Sequence, residues 1–168
     1  MPGYRHLIRT DQLERAWMES ELFPMCREIS EGKTFGDRYA GRALYCLFYE
    51  PSFLTRTSFE RAIGLLGGTA YHTEDASQFF PVKTANHIDN IIGILASLHI
   101  DLVVLRSSDP GIVDGAAEAD ALSIVNGGSR DDHPTQALAD LLTLTRELGG
   151  VDGVRIGVVG RLEHRNVS

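Results

Sequence analysis

Short apolar runs alternate with segments of helical periodicity along most of the chain. The runs have the length of strands and little polar content, which is typical of strands covered on both faces. We predict five strands, at residues 42–49, 69–72, 101–105, 122–125 and 154–159. Strands that alternate with helices over short connections favour an α/β fold, a parallel sheet with helices on both faces.

Between these runs, apolar residues recur every three or four positions, which indicates helices with one buried face. The predicted helices span residues 11–32, 57–66, 86–98, 112–119 and 134–148. We expect Pro24 to bend or restart the first helix, whereas Pro134 suits the first turn of the last one. Residues 74–85 are polar, and we expect them to form a mobile loop.

Length and charge narrow the class of protein. The 168 residues suit one ordinary domain with a full core and the start of a second. A net charge of −7 argues against a nucleic-acid binder but allows an anionic small substrate, because a local cationic cluster can oppose it. Two cysteines and no signal-like or membrane-length apolar run lead us to expect a reduced, cytoplasmic protein without membrane contact.

Polar side chains follow the predicted strands at their carboxyl ends, where parallel sheets gather binding sites. They are Ser52, Thr55 and Arg56 after the first strand, Arg106 after the third, and His133 and Gln136 after the fourth. The set contains hydrogen-bond donors but no acidic pair and no nucleophile with a base beside it. Such a set suits binding of a phosphate and a carbonyl, with catalysis by positioning and charge stabilisation.

Each candidate also has a purely structural interpretation. Ser52 and Thr55 are residue types that cap helices, and His133, directly before Pro134, is compatible with a capping position. Arg106 is equally compatible with a solvated arginine at a strand end, and Lys83 in the polar loop with a surface lysine. The residues alone leave these alternatives open.

Two motifs resemble signatures of the aspartate/ornithine carbamoyltransferase family. Residues 48–60 read Phe-Tyr-Glu-Pro-Ser-Phe-Leu-Thr-Arg-Thr-Ser-Phe-Glu, which is similar to the family's phosphate-binding signature. Residues 133–140, His-Pro-Thr-Gln-Ala-Leu-Ala-Asp, resemble its second signature and are the more specific match. Arg106 lies where the family has an arginine after its third strand, and Lys83 resembles the lysine lent to a neighbouring subunit's site.

The resemblance implies a carbamoyl-phosphate-binding domain over residues 1–150 and the start of a truncated amino-acid-binding domain over residues 151–168. In such enzymes carbamoyl phosphate binds first; an amino group, here expected to be that of aspartate, then attacks its carbonyl and phosphate leaves. The resemblance implies a homotrimer, or an assembly with further subunits, in pyrimidine biosynthesis or amino acid metabolism. It implies small-molecule substrates and no metal, organic cofactor or nucleic acid.

The resemblance also suggests roles for single residues. Ser52, Thr55, Arg106 and a neighbouring subunit's Lys83 would hold the phosphate. His133 and Gln136 would polarise or orient the carbamoyl group, with His133 and Arg106 as the catalytic residues. Arg165 would meet the amino-acid substrate, provided that one residue is deleted before it.

The first motif departs from the family pattern at its centre. Matching residues on both sides fix the register without a gap, so that Phe53 and Leu54 replace the family's threonine and arginine. That arginine bridges the carbonyl and the leaving phosphate, and loss of one such donor costs about 10²- to 10³-fold in rate. A slide by two residues would recruit Thr55-Arg56-Thr57 instead but would turn the following helix by more than half a turn.

Three functional hypotheses remain on the sequence alone. The chain is the N-terminal domain of an aspartate or ornithine carbamoyltransferase, a transferase with an altered donor, or a non-catalytic homologue with a structural or regulatory role. Because the signature keeps its frame and lacks its central arginine, we expect the chain alone to bind phosphate or carbamoyl phosphate weakly without turnover.

Overall fold

The computed structural model describes residues 5–73, 75–79 and 86–159 of the chain. Four parallel strands form one sheet in the order β2-β1-β3-β4. The strands are β1 (Ala43–Phe48), β2 (Thr69–Thr73), β3 (Leu102–Arg106) and β4 (Ser123–Asn126). Four of the five predicted strands are therefore confirmed to within one residue at either end.

Helices precede, connect and follow these strands. They are α1 (Arg15–Trp17), α2 (Phe23–Ser30), α3 (Phe53–Leu65), α4 (Asn86–Ser97), α5 (Pro110–Glu118) and α6 (Pro134–Leu148). Of these helices, α3, α4 and α5 are the ones that lie between the strands. A π-helical turn, Met18–Leu22, joins α1 to α2, so the helical path runs through Pro24 without restarting. This wider turn precedes the residue that has no N–H to donate to an α-helical hydrogen bond.

The side chains of β1 alternate between two hydrophobic cores, which is why the strand is apolar at nearly every position. Cys46 and Phe48 enter a core that also contains Ile63 of α3. Leu47 enters a larger core with residues of α4 and α5, among them Ile92. The predicted parallel sheet with helices on both faces is confirmed.

The predicted strand at residues 154–159 is wrong. These residues are irregular in the structure, and Ile156 and Val158 expose 58% and 57% of their surface. The outer edge of β4 is taken instead by Leu7, which forms a parallel bridge with Val125. An apolar run forms a strand only where a neighbouring strand offers hydrogen bonds, and among the described residues this run has no such neighbour.

Two further predictions concern residues outside the described ranges. Of the predicted loop 74–85, the structure describes residues 75–79, which contain a single 3₁₀ turn, Ala76–Gln78. Lys83 and Arg165 lie outside the described residues.

Within the described parts of the chain, no helix is long and apolar enough to cross a membrane.

Candidate functional site

The turn after β1 brings two hydroxyl groups together at the start of α3. Helix α3 begins at Phe53, four residues earlier than predicted, and Ser52 is its N-cap residue. The Ser52 hydroxyl does not cap the helix; it donates to the Thr55 hydroxyl oxygen at 3.1 Å. The first backbone N–H groups of a helix have no partner within it, so this turn offers N–H donors beside the two hydroxyls.

Phe53 and Leu54 occupy the first turn of α3 and expose 71% and 78% of their surface. They line two different clefts. The Ser52 cleft, of about 780 Å³, is lined by Ser52 and Phe53 together with residues that include Phe48, Arg56, His72 and Phe79. The His133 cleft, of about 700 Å³, is lined by Leu54 and Thr55 together with residues that include Cys26, Phe59, His133 and Gln136.

Arg106 ends β3 and is buried, with 9% of its surface exposed. Its Nη1 donates to the carbonyl oxygen of Gly127 at 2.8 Å. Its Nε is buried and has no hydrogen-bond partner among the described residues. Burial lowers the pKa of the guanidinium. The alternative of a solvated arginine is therefore wrong, because this side chain is held inside the protein.

Gly128 allows Arg106 and His133 to approach each other. A Cβ atom on Gly128 would lie 2.4 Å from Nη1 of Arg106 and 3.0 Å from Cδ2 of His133. The backbone at Gly128 has φ +118°, a conformation that residues with a side chain rarely adopt. Glycine is required at this position on both grounds, and it brings two of the predicted residues into one site.

His133 precedes α6 as its N-cap residue, but its side chain does not cap the helix. The side chain is 4% exposed, and Nδ1 has no hydrogen-bond partner among the described residues. Burial, followed by the positive charge of Arg106, lowers the pKa of His133 below its ordinary value of 6.5. The imidazole is therefore neutral at pH 7, with one nitrogen as donor and the other as acceptor.

Gln136 lies in the first turn of α6 and is exposed. Its amide Nε2 donates to Asp140 Oδ1 at 3.0 Å. Thr55, His133 and Gln136 thus share the His133 cleft, whereas Ser52 lines the neighbouring Ser52 cleft. Arg106 is adjacent to His133 behind Gly128.

Arg56, the remaining strand-end candidate, belongs to an ionic cluster in the Ser52 cleft. Its Nε lies 3.6 Å from Oε1 of Glu60, and that oxygen lies 2.7 Å from Nδ1 of His72. The carboxylate opposes the guanidinium's charge, so Arg56 offers less to an anion than its position in the sequence suggests.

Sequence reasoning missed the residues that hold the site together. Gly127 and Gly128 follow β4 directly, and the pair of glycines after a buried strand is a signal for close backbone approach. Asn126 accepts a hydrogen bond from the Gly128 N–H and donates one to the Ile8 carbonyl. It carries no comparable signal in the sequence, because Ile8 lies far away in the chain. Among the described residues, no group of three or more potential metal ligands occurs.

The donors at this edge can bind an oxyanion and a carbonyl group together. Hydroxyls, the helix N–H groups and a guanidinium suit phosphate, and a neutral imidazole and an amide suit a carbonyl with its amino group. None of these residues is a nucleophile activated by a base. The arrangement therefore suits a reaction in which the protein orients two reactants and stabilises developing charge.

Comparison with known proteins agrees with a domain that binds an oxyanion together with a carbonyl group. The sequence model described as "Aspartate/ornithine carbamoyltransferase, carbamoyl-P binding domain" matches residues 5–146. The chain is 42% identical over 170 residues to the aspartate carbamoyltransferase catalytic subunit of Cenarchaeum symbiosum, which covers 98% of this chain and 54% of that protein. The chain belongs to the aspartate/ornithine carbamoyltransferase family, as the two sequence motifs predicted.

Solved structures give the same result. Aspartate transcarbamoylase from Trypanosoma cruzi, crystallised with N-(phosphonacetyl)-L-aspartic acid, superimposes with a TM-score of 0.79 at 32% identity, covering 96% of this chain and 52% of that one. Ornithine carbamoyltransferase from Thermus thermophilus gives a TM-score of 0.78 at 27% identity, covering 90% and 51%. The chain thus spans about half the length of the relatives it matches.

Proposed function

We propose that this chain is the carbamoyl-phosphate-binding part of an aspartate carbamoyltransferase. Residues 1–150 would form that domain, and residues 151–168 would begin an amino-acid-binding domain. The observation that carries the proposal is the meeting of buried Arg106 and His133 across Gly128, at the edge where parallel sheets bind ligands. Aspartate is the acceptor we propose, because the sequence relative named above and others like it are aspartate carbamoyltransferases.

The chemistry would follow from the donors at this edge. Ser52, Thr55, the first N–H groups of α3 and Arg106 hold the phosphate, while His133 and Gln136 orient the carbamoyl group. The acceptor's amino nitrogen forms a bond to the carbonyl carbon, and the bond from that carbon to the bridging oxygen breaks. Phosphate leaves with the bonding electron pair, and the proton lost by the amine passes to phosphate or to water.

Two buried polar groups without a hydrogen-bond partner are an argument for a polar ligand at this site. Nε of Arg106 and Nδ1 of His133 lack partners among the described residues, and an unsatisfied buried polar group costs about 1–3 kcal/mol. His133 also lines the His133 cleft, which gives an incoming ligand a route to this pair. A ligand that offers acceptor oxygens would offset part of that cost.

The replacement of threonine and arginine by Phe53 and Leu54 weakens the proposed site. Their exposed apolar side chains supply no donor at the start of α3, so the phosphate depends on fewer charged contacts. We therefore propose that binding is weak in this chain by itself. In the assembly that we propose, a homotrimer in the cytoplasm, Lys83 of a neighbouring subunit would add to the phosphate contacts and Arg165 to those of the amino acid.

The test is a calorimetric titration of the chain with carbamoyl phosphate. We expect a dissociation constant in roughly the millimolar range and loss of the heat in Arg106→Gln. Arg61→Gln, which removes an exposed arginine from α3, is the matched control and should bind like the parent. Absence of heat in the parent at millimolar carbamoyl phosphate, or equal binding by both variants, would contradict the proposed function.

A further inference from the structure

A buried polar cluster connects the N-terminal segment to the loop between β4 and α6. Asn126, 2% exposed, is at its centre. Its Oδ1 accepts from the Gly128 N–H at 2.9 Å. Its Nδ2 lies within hydrogen-bond distance of three oxygens: Ile8 O at 3.0 Å, Ser129 Oγ at 3.2 Å and Asp132 O at 3.3 Å. One amide thus bonds to the loop and to the N-terminal segment at once.

Asp132 makes the second connection to the N-terminal segment. Its carboxylate accepts from the Thr10 backbone N–H at 2.7 Å and from the Thr10 hydroxyl. Leu7 pairs with β4, since its N–H donates to Ile124 O and its carbonyl accepts from the Asn126 N–H, both at 2.8 Å. Residues 7–10 are therefore fastened to both ends of the loop at residues 127–132.

The same loop carries the candidate site on its other side. The Gly127 carbonyl accepts from Arg106, and the Ser107 N–H donates to the Gly128 carbonyl at 3.3 Å. His133 follows Asp132 directly in the chain. A shift of this loop would therefore change the distance between Arg106 and His133, and the hydrogen bonds of Asp132 to Thr10 tie the far end of the loop to residues 7–10.

We propose that Asn126 and Asp132 are positioning residues of the candidate site at Arg106 and His133. They fasten the loop at residues 127–132 to Ile8 and Thr10, and the loop in turn fixes Arg106 and His133 relative to each other. As far as the ligand is concerned, this inference rests on the proposed function. Neither residue lines the His133 cleft or the Ser52 cleft, so both act through the loop and not by touching the ligand.

The charge of Asp132 and its hydrogen bonds to Thr10 have opposite effects on the affinity for an anion. A carboxylate near an anion site repels the anion, so removal of its charge alone would strengthen binding. Removal of its hydrogen bonds to Thr10 would weaken binding by releasing the loop. Asp132→Asn removes the charge, yet its amide can still accept from the Thr10 N–H and donate to the Thr10 hydroxyl. Asp132→Ala removes both the charge and the hydrogen bonds.

Calorimetric titration with carbamoyl phosphate compares these variants. We expect Asp132→Ala to bind about tenfold more weakly than the parent, the order expected when a hydrogen-bonded charge is lost, and Asp132→Asn to bind at least as well as the parent. Asp131→Ala removes the neighbouring exposed charge and is the matched control. Equal affinities of Asp132→Ala and Asp132→Asn would overturn the proposal.

Thr10→Val tests the same contact from the other side without a change in charge. It removes the hydroxyl and keeps the backbone N–H, so we expect binding to weaken by about threefold even if Asp132→Ala fails to fold. Binding equal to that of the parent would argue against a positioning role.

An experiment without ligand separates this inference from the proposed function. The ring signals of His133, assigned by their loss in His133→Gln, are followed by NMR against pH. We expect a higher pKa for His133 in Asp132→Ala than in Asp132→Asn, because water reaches the imidazole once the loop is released. If the parent shows no heat with carbamoyl phosphate, the proposed function fails, and this comparison alone decides the positioning role: equal pKa values overturn it.

Discussion

Phe53 and Leu54 stand at the start of α3, where the family's signature has threonine and arginine. Both are mostly exposed, so their burial contributes little to the stability of this chain. In the structure α3 begins at Phe53, and Ile63 of the same helix lies in the core. A slide by two residues would turn that core residue away from the sheet.

Restoring the family's residues should therefore strengthen binding. We expect the double variant Phe53→Thr and Leu54→Arg to bind carbamoyl phosphate at least about tenfold more tightly, because a guanidinium adds charge-assisted hydrogen bonds. Calorimetric titration measures the gain. Leu65→Arg, at the far end of the same helix, adds the same charge and should leave the affinity unchanged. If the double variant gains nothing, the phosphate does not lie beside the start of α3.

The buried imidazole of His133 predicts a pH dependence of stability. Its pKa is lowered in the folded protein, so the unfolded chain binds more protons just below pH 6.5. The free energy of unfolding should therefore fall as the pH drops through that range and be fully regained above it. Urea denaturation of the parent and of His133→Gln between pH 5 and 7.5 measures the difference. Parallel pH profiles of the two proteins would refute this assignment.

At the scale of single residues, the sequence identified the polar side chains but not their surroundings. The strand-end rule selected Arg106 and His133, and the structure brings them together. It did not predict that both would be almost completely buried, because burial depends on the loop at residues 127–132 folding over them. Nor did it predict the hydroxyl pair of Ser52 and Thr55, since their alternative as side-chain caps was equally compatible with the sequence.

Among the elements, the turn after β4 matters most for the site. Gly128 adopts a positive φ and leaves no space for a side chain beside Arg106. We expect Gly128→Ala to destabilise the chain by about 1–3 kcal/mol and to weaken anion binding, because both the backbone and the guanidinium must shift. Urea denaturation measures the first effect and calorimetry the second.

Gly64→Ala, within α3, is the control for that variant. A Cβ atom at Gly64 meets nothing within 4 Å, so this substitution should stabilise the helix by about 0.5–1 kcal/mol. If Gly128→Ala proves as stable as the parent, the close approach of Arg106 to Gly128 does not exist in solution.

The elements themselves were largely predictable because periodicity reports burial. The helices after β1 and β4 show the limits of that signal. The last helix was predicted at residues 134–148, which agrees with the structure because Pro134 and Gly149 mark its ends. The start of α3 was missed by four residues, since Phe53 and Leu54 are apolar yet exposed and do not follow the helical pattern. The false strand at residues 154–159 arose because an apolar run does not reveal whether a neighbouring strand exists.

At the scale of the whole molecule, an acidic protein binds an anion only through local charge. The net charge is −7, and Arg106 is the cation that the sheet edge holds next to His133. Two clefts open beside the hydroxyl pair, and each contains one histidine: His133 in the His133 cleft and His72 in the Ser52 cleft. The NMR signals of these two imidazole rings can therefore show which of the two clefts the ligand occupies.

The most direct measurement is an NMR titration of the histidine ring signals with carbamoyl phosphate. The proposed site predicts that the signals of His133 shift progressively with ligand while those of His72 stay in place. Arg106→Gln should abolish the shift of His133. A shift of His72 with an unmoved His133, or no shift of either ring at millimolar ligand, would contradict a carbamoyl phosphate site at Arg106 and His133.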